Sequence, residues 1–242
     1  MLYIFFMEIT KYYSPNYSKK VRSGRSITMI IIHYTGMQSE RESLKRLTSI
    51  KSKVSAHYLI GRKGEILKLV EPRYIAWHAG KSMWKKNKNL NKNSIGIEIS
   101  NPGHDHGYKN FKKIQIKNLI KLSKTLIKKY SIKNKNILGH SDIAPLRKKD
   151  PGEKFPWHLL YKNKIGIWHN YKTKTKHQLK NAISNELQKK FFINLKKFGY
   201  EVKFKTFVDK KKIIKSFQRR FRPELVSGII DIHTYSILKS LI

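Results

Sequence analysis

The sequence predicts an α/β chain in which a mixed central β-sheet is flanked by helices and followed by a small three-helix unit. Three observations carry this reading. Residues 27–32 are a β-branched apolar run, the pattern of a buried central strand. Residues 56–60 and 65–70 (AHYLI and EILKLV) are strand-like and flank Gly61-Arg62-Lys63-Gly64, a glycine-bounded tight turn. Residues 114–130 place Leu119, Leu122 and Leu126 at helical spacing, the buried stripe of a long amphipathic helix.

The other elements follow in order. Leu44, Leu47 and Ile50 recur at three-residue spacing after Ser43, which predicts a helix of modest length. Residues 94–100 (SIGIEIS) alternate Ile95, Ile97 and Ile99 on one face with Gly96 and Glu98 on the other. Residues 101–108 (NPGHDHGY) read as a Gly/Pro loop, and Ile137 and Leu138 as a short strand ending at His140. From about residue 168 the pattern dissolves into polar and basic residues, so 171–178 is the expected linker between a first domain, 1–170, and a second, 179–242. The second has helical patterns at roughly 179–198, 210–221 and 233–241. A unit this small buries little and is expected to lean on the first domain or on a ligand.

Composition narrows the chemistry. The formal net charge is +38, but Lys is spread over nearly every segment beside abundant Ile and Asn, a global bias rather than a stripe built for a duplex. No nucleic-acid partner is expected, whereas anionic polymers, cell-wall material bearing peptide carboxylates among them, suit this field. The chain has no cysteine, which excludes disulfides and thiolate zinc ligands, so any zinc must use His and carboxylate. No segment approaches membrane-spanning length. Residues 1–7 (MLYIFFM) lack a preceding basic region and are cut off by Glu8 without a small-residue cleavage site, and Met7 is an alternative start. The expectation is a cytoplasmic protein, with periplasm or cell envelope as the alternative.

The stretch from His140 to Asp150, HSDIAPLRKKD, holds an imidazole, two carboxylates and three consecutive cations, and its Ala-Pro pair resists continuous helix. It reads as a shaped loop. Far upstream, His33 ends the apolar run MIIIH and is delivered to a sheet edge. Two His and one Asp make a three-ligand site with the fourth tetrahedral position open, as a catalytic zinc requires.

The stretches IIIHYTG, SAHYLIGRKG, IAWHAG, NSIGIEISNPG and GHSDIAPLRKKDPGEKFPW, in this order over about residues 27–170, resemble the zinc-dependent N-acetylmuramoyl-L-alanine amidases, a family that includes phage amidases and peptidoglycan recognition proteins. Residues 213–241 resemble a three-helix peptidoglycan-binding module, with F-Q-x-x-F and then Gly, Asp and Thr. The resemblance implies one zinc ion held by His33, His140 and Asp150, Glu98 as acid/base, and Lys148 opposing charge on the tetrahedral intermediate. It implies hydrolysis of the amide between N-acetylmuramic acid and L-alanine in peptidoglycan or anhydro-muropeptides, in wall turnover or recycling. Relatives that bind without cleaving lose a zinc ligand, and here all three are present.

Other residues invite plainer roles. Asp142, two positions from His140, suits a local turn or a hydrogen bond behind a ligand. His104 and His106 flank Asp105 in a Gly-rich loop, which suits a rim or substrate contact better than a second metal. His57 and His78 are expected to be structural or pocket-lining, and Trp77 and Trp84 to belong to the core, with the lining of a sugar-peptide groove as the alternative.

Overall fold

The computed structural model describes residues 8–171 and 182–242. The apolar run 1–7 and residues 172–178 of the expected linker lie outside the described residues, as does the start of the helical pattern at 179–181. In chain order the elements are β1 (Ile9–Lys11), β2 (Tyr17–Ser18), β3 (Met29–Tyr34), α1 (Glu40–Thr48), β4 (Tyr58–Ile60), β5 (Ile66–Lys68), β6 (Ile75–Ala76), β7 (Met83–Trp84), β8 (Asn87–Lys88) and β9 (Ser94–Ile99). Then come α2 (Lys113–Tyr130), β10 (Ile137–Gly139), α3 (His140–Ile143), α4 (Trp157–Lys162), α5 (Asn185–Phe198), α6 (Phe207–Phe221) and α7 (Ile232–Lys239).

Six strands form one sheet in the order β1-β5-β4-β9-β3-β10. It is mixed: β4 and β5 are the antiparallel hairpin expected around the Gly61–Gly64 turn, while β4, β9, β3 and β10 run parallel. The period-two alternation sorts the sheet's faces. Ile30 and Ile32 of β3 and Ile95, Ile97 and Ile99 of β9 pack with Ile116, Leu119, Leu122 and Leu126 of α2. Met29 and Ile31 face the other way, with Leu138, Ile143 and Trp84.

That second face is closed by the carboxy-terminal helices. Phe191 and Leu195 of α5, Ile213, Ile214, Phe217 and Phe221 of α6, and Ile237 of α7 share one buried cluster with Met29, Ile31 and Leu138. The F-Q-x-x-F pattern has a physical basis here. Phe217 and Phe221 are buried, and the Gln218 side chain bridges the next turn, donating to the Ile229 carbonyl at 2.8 Å and accepting from the Gly228 N–H at 2.8 Å. Asp231 caps α7 by accepting from the Thr234 N–H at 2.8 Å and pairs with buried Arg222. These residues build the helical unit.

Two expectations are corrected. Helix α1 begins at Glu40, ahead of Ser43, because Ser39 and Glu42 form a reciprocal capping box. Leu47 is buried as expected, but Ile50 lies beyond the helix and is 71% exposed. The stretch after His140 is not loop throughout: residues His140–Ile143 make one helical turn, which stops before Pro145. Among the described residues, no helix is long and apolar enough to cross a membrane.

A chain ended at residue 171 would uncover Met29, Ile31, Leu138, Ile143 and Trp84. Each fully buried apolar side chain contributes about 1.5–3 kcal/mol. Such a chain is expected to lose several kcal/mol of stability and to bind a hydrophobic dye; thermal denaturation by circular dichroism checks this.

Candidate metal centre

The parallel register sets the site. His33 lies opposite Glu98 across the β3–β9 pair, and Gly139, the last residue of β10, lies opposite Ile32. The next residue, His140, therefore comes level with His33. Three adjacent strand ends thus carry Glu98, His33 and His140 at their carboxyl ends, where ligands of α/β sheets bind. Asp150 is returned to the same place by the turn after α3, with its carbonyl accepting from the Ser141 N–H at 2.8 Å.

His33, His140 and Asp150 are buried and converge. His33 Nδ1 is 2.9 Å from His140 Nδ1 and 3.1 Å from Asp150 Oδ2, and His140 Nδ1 is 3.0 Å from Asp150 Oδ2. The partners behind the rings fix which nitrogens carry protons. Ser94 Oγ donates to the Leu90 carbonyl at 2.5 Å, so it accepts from His78 Nε2–H at 3.2 Å. His78 Nδ1 is then an acceptor for His33 Nε2–H at 3.1 Å, and His33 Nδ1 is left with its lone pair. His140 Nε2–H donates to the Ala79 carbonyl at 3.1 Å, which leaves its Nδ1 in the same state.

Two imidazole lone pairs and a carboxylate oxygen thus meet at about 3 Å with no proton between them. Tetrahedral donors about 2.0 Å from a zinc ion are separated by about 3.3 Å, so this donor set fits such an ion. Burial, then the neighbouring charge of His140, depresses the His33 pKa to about 4, so its ring is neutral at neutral pH and ready to ligate.

Glu98 and Lys148 line the same cleft of about 330 Å³, with Tyr34, Trp77, Asp105, Arg46, Arg147 and Lys149 around it. Burial, and then the Asp150 carboxylate, pushes the Glu98 carboxyl well above its usual range, with Lys148 opposing. Glu98 Oε2 is buried and has no hydrogen-bond partner among the described residues. It is a titratable carboxyl with an uncommitted oxygen, and Lys148 is a cation lining the same cleft.

Asp142 stays out of the metal group and accepts from the Gly139 N–H at 2.7 Å. His104 sits at the rim, 2.8 Å from the Tyr34 hydroxyl and 3.1 Å from Glu153 Oε2. His106 is exposed. His57 is structural, its Nδ1 accepting from the Gly96 N–H at 3.0 Å, and Trp84 is buried in the core. His78 has a role that spacing did not reveal, since it backs His33. Gly96 makes room for it, because a Cβ there would lie 2.4 Å from the His78 ring. Arg46 reaches the cleft only through the packing of α1, and no sequence pattern singled it out.

Residues 23–153 match the family described as N-acetylmuramoyl-L-alanine amidase. The chain is 36% identical over 230 residues to N-acetylmuramoyl-L-alanine amidase AmiD of Escherichia coli (strain K12), covering 89% of this chain and 82% of that one. It is 30% identical over 162 residues to 1,6-anhydro-N-acetylmuramyl-L-alanine amidase AmpD of Haemophilus influenzae, covering 60% of this chain and 85% of that one. Among solved structures, the complex of E. coli AmiD with anhydro-N-acetylmuramic acid-L-Ala-D-gamma-Glu-L-Lys matches with a TM-score of 0.78 at 33% identity, over 93% of this chain and 91% of that one. Pseudomonas aeruginosa AmpDh3 with anhydromuramic pentapeptide matches with a TM-score of 0.75 at 30% identity, over 93% and 95%. With the family match spanning more than half of its length and the AmiD likeness most of it, this chain belongs to the N-acetylmuramoyl-L-alanine amidases.

Proposed function

We propose that this amidase is zinc-dependent, that His33, His140 and Asp150 hold the ion, and that its substrates include soluble anhydro-muropeptides. The observation that carries the reading is the proton-free triangle of two imidazoles and a carboxylate, buried beside Glu98. Zinc at such a triangle supplies Lewis acidity, acidifying water and polarising the amide carbonyl.

The chain's own groups do the rest. Glu98 takes a proton from the attacking water at its uncommitted Oε2 and returns it to the leaving amine of L-alanine, a task suited to a carboxyl whose pKa is raised. The Lys148 ammonium opposes the negative charge that grows on the carbonyl oxygen. Arg46, Arg147 and Lys149 line the cleft and suit the carboxylates of an acidic peptide stem. The likeness to two structures that hold anhydro-muramic peptides supports this choice of substrate.

The carboxy-terminal helices belong to the proposal as a unit that adds affinity for wall polymer. Phe204, in the segment before α6, and Phe207, its first residue, are 42% and 67% exposed and offer apolar surface for it.

Three outcomes are expected. His33→Ala, His140→Ala and Asp150→Ala each abolish stoichiometric zinc, measured by elemental analysis, and with it hydrolysis; full zinc and turnover in Asp150→Ala would remove that residue from the ligand set. Glu98→Gln keeps the metal but lowers kcat about 10²–10⁴-fold, and Lys148→Ala about 10²–10³-fold, measured on a soluble anhydro-muropeptide. Loss of zinc in Glu98→Gln would make Glu98 a ligand. Phe204→Ala with Phe207→Ala weakens co-sedimentation with insoluble sacculi while turnover of the soluble substrate is unchanged.

A further inference from the structure

Asp142 is the point where the carboxy-terminal helices grip the catalytic turn. It is 1% exposed, as are Arg220 of α6 and Tyr200 just after α5. Asp142 Oδ2 accepts from Arg220 Nη1 at 2.5 Å as well as from the Gly139 N–H, and Oδ1 accepts from the Tyr200 hydroxyl. Arg220 also reaches back to the strand, donating from Nη2 to the Ile137 carbonyl at 2.9 Å, and its guanidinium lies 4.5 Å over the Trp157 ring. One residue along, Ser216 Oγ of α6 donates to the Ser141 carbonyl at 2.6 Å. Five hydrogen bonds thus converge on residues 137–142, and four of them come from the carboxy-terminal unit.

Both ends of this turn lead to metal ligands. His140 stands between Gly139 and Ser141, and the Ser141 N–H holds the Asp150 carbonyl. The orientation of His140 Nδ1 toward His33 therefore depends on a corner of backbone whose satisfied hydrogen bonds come from α6 and the segment after α5. Groups behind metal ligands commonly alter metal affinity about 10–100-fold, because they hold the donor atoms at bonding separation before the ion arrives.

We infer that Tyr200, Arg220 and Ser216 are positioning residues for the metal centre, so that the carboxy-terminal helices form part of the zinc site's supporting structure as well as a surface for wall polymer. The inference rests on the zinc reading above. Burial, and then the adjacent Asp142 charge, pushes the Tyr200 pKa well above its ordinary value, which keeps its hydroxyl protonated as a donor. Arg220 supplies a fork that lysine cannot reproduce, with one arm on Asp142 and the other on Ile137.

The test measures the zinc dissociation constant of the full chain by chelator competition, at a temperature where near-ultraviolet circular dichroism reports a native fold. Tyr200→Phe is expected to weaken zinc about tenfold and Arg220→Met further, toward a hundredfold. Ile237→Ala, in the same buried cluster but on α7, serves as the control. It should lower the melting temperature and leave the zinc constant unchanged in folded protein. Tyr200→Phe removes only one hydroxyl, so it decides the matter should Arg220→Met fail to fold. Wild-type zinc affinity in Tyr200→Phe would overturn the inference, as would an equal loss in Ile237→Ala. A wild-type chain that binds no zinc would overturn the zinc reading along with it.

Discussion

The parallel register of β9, β3 and β10 is the constraint on which the rest of the structure depends. Ile32 lies opposite both Ile97 and Gly139, so the next residue of each strand is Glu98, His33 and His140. With neighbouring strands about 4.8 Å apart, the side chains that follow stand within reach of one another. The same alternation sends Ile30, Ile32, Ile95, Ile97 and Ile99 under α2. A slip of β3 by one residue would turn His33 into that apolar layer and Ile32 into the cleft, so core and active site enforce each other.

Dryness then determines the chemistry. The helices α2 and α5–α7 close the two faces of the sheet, and the groups left at its carboxyl end are poorly hydrated. Burial favours the neutral His33 ring and raises the affinity of the Glu98 carboxylate for a proton that it accepts. The cost of burying so many polar atoms is limited by partners behind them: His78 and Ser94 behind His33, and Ala79 behind His140. Those partners hold the ring nitrogens in the protonation state that a metal ligand needs. Structural satisfaction and catalytic preparation are here one hydrogen-bond network.

Much of this was legible along the chain. The alternation in 94–99 is local and two-residue in period, so it placed Glu98 opposite the isoleucines correctly. The hairpin around Gly61 and Gly64 was equally plain, because its turn chemistry is also local. Helix α1 was misplaced at its start, since the apolar spacing from Leu44 drew attention away from the capping pair Ser39 and Glu42. Its third spaced apolar residue, Ile50, proved to be solvent-exposed. The Ala-Pro pair correctly marked an end to helix after His140, but one turn forms before it.

By itself the sequence determined β3, β4, β5, β9 and β10 of the six-stranded sheet, the long helix α2, the order of the motifs and, through the resemblance they carry, the family; the same resemblance singled out five candidate residues that line one cleft. Each of these follows from residue type and short spacing. Asp150 joins the histidines as the resemblance implied, but tertiary structure alone decided where Asp142 turns instead, toward Arg220 of α6 and Tyr200 in the segment before it. It also decided which ring nitrogens face the metal position, through His78 and Ser94. The partners of Asp142 lie 58 and 78 positions away in the chain, at Tyr200 and Arg220. No local period encodes such a pairing. It exists only because the apolar stripes of α5 and α6 seat those helices on the sheet, and burial then obliges each charged or hydroxyl group there to find its partner.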